Sequence, residues 1–157
     1  MKKIILLTLA SVVLSSGIVF AAGNKLMDIR NKLLVESQEI RDLSLQTKDV
    51  ILVNSMWNSS AMAISQLDAY FSELGIFNTI KKEEVTGTAI NFLINWLKEI
   101  KETNDVNIKS LSSITQNIEP QTKLHLERLK GYYADMNDRI EKEFVKLDAL
   151  KKVWVQK

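Results

Sequence analysis

The sequence predicts an all-α protein: an elongated antiparallel bundle of three long helices, or four if the first breaks near residues 54–60, following an N-terminal signal peptide. Three observations predict this fold. Apolar residues recur at spacings of three and four along nearly the whole chain after residue 24, the period of a helix with one buried stripe. Only 5 glycines and 1 proline punctuate 157 residues, too few for a many-turned β architecture. No segment alternates apolar and polar side chains over the length of a strand.

Residues 1–22 stand apart from this pattern. Met1-Lys2-Lys3 is a short basic start, Ile4 to Ala22 is uncharged and mostly apolar, and the small residues Ala21, Ala22 and Gly23 follow. That is the layout of a cleaved secretory signal peptide, and it makes residues 23–157 a single helical-bundle domain. The expected location is the periplasm or the exterior of a bacterial cell. Removing the leader leaves 21 − 2 = 19 basic residues against 19 acidic ones. The mature chain is close to neutral and has no patch of five or more like charges, so nucleic acid, which needs a basic footprint, is not an expected partner.

The first helical pattern runs from Asn24 to about Leu74, through Leu26, Ile29, Leu33, Ile40, Leu43, Val50, Val53, Trp57, Ala61, Ile64, Leu67 and Phe71. Asn54, Ser55, Asn58, Ser59 and Ser60 are poor helix formers and mark the expected break. Gly75 reads as the C-terminal stop of this helix. The second pattern begins near Asn78 or Thr79 and carries Ile90, Leu93, Trp96 or Leu97, Ile100, Ile108, Leu111, Ile114 and Ile118. Pro120 ends it and opens the last pattern, since proline suits the first turn of a helix and breaks one already formed. That last stripe is Leu126, Leu129, Tyr133, Met136, Ile140, Phe144, Leu147, Leu150 and Trp154.

Short loops make successive helices antiparallel. With equal rise per residue, facing residue numbers total about 154 across the first turn and about 239 across the second. This register stacks Trp57, Trp96 and Phe144 into an aromatic layer. It also leaves residues 24–34 overhanging the bundle, with Leu26, Ile29, Leu33 and Leu34 unpartnered, unless a broken first helix folds back to cover them. Val50-Ile51-Leu52-Val53 and the stretch from Ile90 to Leu97 are apolar around more than one face. At adjacent levels they would form one continuous patch. The expected interaction surface is therefore Leu26, Ile29, Leu33, Leu34, Ile51, Leu52 and Trp154.

Few chemistries survive the composition. With 0 cysteines there are no disulfides, thiolate metal sites or cysteine nucleophiles. His125 is the only histidine. A carboxylate-bridged di-metal bundle needs Glu-x-x-His pairs, and Thr122 stands three residues before His125. Haem held by histidine and methionine would need a methionine level with His125, and the register supplies none. No nucleophile elbow or glycine-rich phosphate loop exists. The expectation is a non-catalytic exported bundle with no cofactor and no metal, acting on a protein partner or on a second copy of itself. The alternatives are a periplasmic sensor-type bundle holding a small ligand or haem, and a stalk anchored in the membrane by an uncleaved leader.

Overall fold

The computed structural model describes residues 25–80, 87–114 and 117–154; residues 1–22, read from sequence as a signal peptide, lie outside them. The described residues form four helices and no strand: α1 (25–43), α2 (Val50–Thr79), α3 (Gly87–Ser112) and α4 (Pro120–Trp154). The four-helix alternative is the one adopted, but the break falls at residues 44–49, about ten residues or nearly three helical turns before the stretch the sequence indicated. Helix α2 runs straight through Asn54 to Ser60. The hydroxyls of Ser59 and Ser60 donate to the carbonyls of Met56 and Trp57, so they are satisfied one turn back and do not compete with the helix. Gly75 is likewise no stop. It sits inside α2, and no glycine among the described residues has a positive φ.

Cross-helix contacts set the direction of every element. Arg30 of α1 grips Asp68 of α2 with two hydrogen bonds of 2.8 and 2.9 Å. Gln66 of α2 donates to Thr103 of α3, and Asn91 and Lys101 of α3 meet Lys151 and Glu141 of α4. His125 of α4 meets Glu36 of α1. Each helix thus runs antiparallel to the next, and α1 folds back between α2 and α4. The first register is corrected accordingly: Gln66 faces Thr103 and not Thr88, because α2 is longer than the sequence indicated.

The buried positions follow a seven-residue repeat. In α2 they are Val53, Met56, Ser60, Ala63, Leu67, Tyr70, Leu74 and Phe77; in α4 they are Thr122, Leu126, Leu129, Tyr133, Met136, Ile140, Glu143, Leu147 and Leu150. Alternating steps of three and four are those of a coiled-coil seam. The α3 seam contains Asn104, whose amide donates to Met136 Sδ and Asn137 Oδ1, both at 3.0 Å. Two carboxylates, Glu36 and Glu143, also occupy core positions.

Helix α1 covers the rest of the core. Leu26, Ile29 and Leu33 are buried to 2 % exposure or less, so the expected overhang does not exist and these three leave the interaction surface. Leu34 is partly exposed on the outer side of α1.

Candidate functional sites: an apolar cleft and a histidine–carboxylate cluster

The first site is the end of the bundle where the α1–α2 turn meets the start of α4. The two segments clasp each other. Thr47 Oγ1 and the Lys48 N–H donate to Glu119 Oε2 at 2.6 and 3.3 Å, and the Glu119 N–H donates to Asp49 Oδ2 at 2.8 Å. Asp49 occupies the N-cap position of α2 yet makes no side-chain cap bond, since its carboxylate reaches across to Glu119. Thr47 Oγ1 also lies 3.4 Å from Thr122 Oγ1.

Beside this clasp opens a cleft of about 810 Å³, lined by Val50, Ile51, Leu52, Ile114 and Ile118 together with Lys48, Asp49, Ser55 and Ser113. Ile51 is 88 % exposed, and Leu45 on the adjoining turn is 84 % exposed. Apolar and polar side chains thus line the cleft together. Leu52 is half-buried against the core.

The other apolar stretch does not join this patch. Phe92 is exposed and packs edge-on against Trp96, ring centroids 6.5 Å apart. The contact of neighbouring Asn91 with Lys151 puts both rings toward the opposite end of the bundle. Nor do the three aromatics of the expected layer meet. The Ser59–Tyr133 hydrogen bond of 3.0 Å sets Trp57 level with Gly131, about 20 Å along α4 from Phe144 at 1.5 Å per residue. Trp57 is partly exposed, while Trp96 and Phe144 are half-buried flanking residues. Trp154 closes α4, but its side chain lies outside the described residues.

No family model, curated protein or solved structure matches this chain.

The second site lies between α1 and α4. His125 Nδ1 is 2.6 Å from Glu36 Oε1, donating to the carboxylate, and Arg128 Nη1 lies 3.6 Å from Glu36 Oε2 and 3.1 Å from Glu39 Oε2. The side chain of Glu36 is only 3 % exposed. A buried carboxylate is tolerated where it is paired and hydrogen-bonded, and here an imidazole and a guanidinium serve it together. Glu36 and Glu39 share one face of α1 because they are three residues apart, as do His125 and Arg128 on α4. The sequence carried a Glu-x-x-Glu signal here, but nothing local links it to a histidine 89 positions away.

Glu143, the other core carboxylate, is treated very differently. Its Oε1 is buried with no hydrogen-bond partner among the described residues, and its Oε2 has only Lys146 Nζ at 3.6 Å. Burial pushes its acid up to about 7, against a smaller opposing pull from Lys146. The nearby phenol of Tyr70, also buried and unpartnered, is pushed up by burial and by the Glu143 charge.

Proposed function

We propose that this chain is an exported, non-catalytic helical bundle that acts by binding protein, a second copy of itself or a partner in the cell envelope, through the apolar cleft beside the Thr47–Glu119 clasp. The exposure of Ile51 carries the reading. A large aliphatic side chain, almost fully solvated and set on the first turn of a 30-residue helix, is held out by its own helix and cannot turn inward. Burying it against a partner would recover roughly 2 kcal/mol. Leu45 and Val50 add to the same surface. The signal-peptide layout of residues 1–22, read from sequence, supports the export part of this reading. No described helix is long and apolar enough to cross a membrane.

The test joins two measurements. Sedimentation of the processed chain at rising concentration reports self-association. A photo-crosslinking amino acid at position 51, with one at the exposed position Glu127 as control, reports contact in the intact envelope. The expected result is a dimer, or a crosslinked protein specific to position 51, lost on Ile51→Asp with Leu45→Asp while the thermal transition stays unchanged. A monomer at every concentration that also gives no adduct at position 51 would overturn the reading.

A further inference from the structure

The cluster between α1 and α4 has a chemistry that a simple charge clamp does not require. We propose that Glu36, Glu39 and His125 bind one divalent transition-metal ion, with Arg128 as the side chain that moves aside to admit it. This inference is independent of the association proposed above.

The donor set is one imidazole nitrogen and two carboxylate oxygens, and ligation through Nδ1 releases the proton that nitrogen shares with Glu36. Such a set suits Zn²⁺, Co²⁺ or Ni²⁺; Mg²⁺ and Ca²⁺ take oxygen ligands instead. The three donor atoms lie within 4.8 Å of one another. Tetrahedral Zn²⁺ with bonds of about 2.0–2.2 Å spaces its ligand atoms roughly 3.3–3.6 Å apart, so shifts on the order of an ångström complete the arrangement. The donors stand on two packed helices, two on α1 in one helical row and one on α4, so the backbone already brings them together. Two carboxylates facing one guanidinium leave the cluster negative when the imidazole is neutral, and the burial of Glu36 strengthens its attraction for a cation.

Arg128 is the obstacle and also the way in. Its guanidinium spans both carboxylates, but its side chain is 44 % exposed. Two surface clefts meet at it: one on the side of Asn31 and Tyr132, the other on the side of Asp42 and Gln121, with Arg128 and Glu39 lining both. The side chain therefore has solvent to swing into, and its departure opens a face of the cluster.

The chain's single histidine makes the experiment unambiguous. Calorimetric titration of the untagged mature chain with Zn²⁺ is expected to give one ion per chain. The nitrogen signals of the one imidazole should shift in step with it. Arg128→Gln should tighten binding at least tenfold by removing the competitor. His125→Gln and the more exposed Glu39→Gln should each weaken it at least tenfold, with helix content by circular dichroism unchanged. Zn²⁺ uptake that leaves the imidazole signals in place, or that survives His125→Gln, would assign the ion elsewhere and overturn the proposal. So would the absence of uptake by both the wild-type chain and Arg128→Gln at 100-fold excess.

Discussion

Glu143→Gln should stabilise the protein at neutral and alkaline pH and do almost nothing in acid. The folded chain holds the Glu143 proton up to about pH 7, where an ordinary glutamate releases it near 4.5. An acid raised on folding favours the fold while it is protonated. Stability is therefore lost as pH climbs from 4.5 to 7 and is level beyond. At 1.36 kcal/mol for each tenfold change in proton affinity, the loss is about 3 kcal/mol by pH 8. That is a sizeable share of the 5–15 kcal/mol that holds a typical domain together. Glutamine has the same shape as the protonated acid and no proton to lose. Urea unfolding of both chains, followed by tryptophan fluorescence at pH 4, 6 and 8, gives the difference directly. It should be near zero at pH 4 and approach 3 kcal/mol in favour of the variant at pH 8. Equal stability at pH 8, or a less stable variant, would mean that the carboxylate is well solvated in the fold and that the burial argument fails.

Two further perturbations test the architecture. Gly75→Ala and Gly131→Ala place a methyl group on helix interiors where nothing stands within 4 Å, so each should raise the unfolding free energy by about 1 kcal/mol. A loss at Gly75 in a urea titration would restore the helix stop suggested by the sequence. Leu33→Ala removes a fully buried side chain of α1 and should cost about 2–5 kcal/mol, while Leu34→Ala, on the outer side, should cost well under 1 kcal/mol. Equal effects in thermal melts would place α1 off the core.

The helical class and most of the core could be read from the residues, because a three-and-four spacing of apolar side chains survives any error in topology. Adjacent apolar pairs blurred the exact seam. Trp57 and Phe71 fit the pattern as well as Met56 and Tyr70, and only packing decides between them. At the level above Ile140 the seam continues through Glu143, beside the apolar Phe144 that hydrophobicity would select. No periodicity argument chooses a glutamate for a core position. The break at residues 44–49 was equally hidden. The turn there is held by the reach of Thr47 and Asp49 to Glu119, a contact spanning some seventy residues, whereas the serines that advertised a break are satisfied within their own helix. The cluster of Glu36, Glu39 and His125 depends on the same fold-back of α1. It could not be assembled before the number of helices was known.

The clasp between Thr47, Lys48, Asp49 and Glu119 also bears on how the chain reaches its fold. It ties together positions 72 residues apart, and closing a flexible loop of that length costs roughly 4 kcal/mol of chain entropy. The bonds crossing between the two segments, Thr47 and Lys48 to Glu119, Glu119 to Asp49, and Thr47 with Thr122, contribute about 1 kcal/mol apiece. The two quantities nearly cancel. The clasp therefore cannot draw the ends together on its own. It closes because three antiparallel packings have already brought them into register, and it should come undone whenever any one of the four helices lets go.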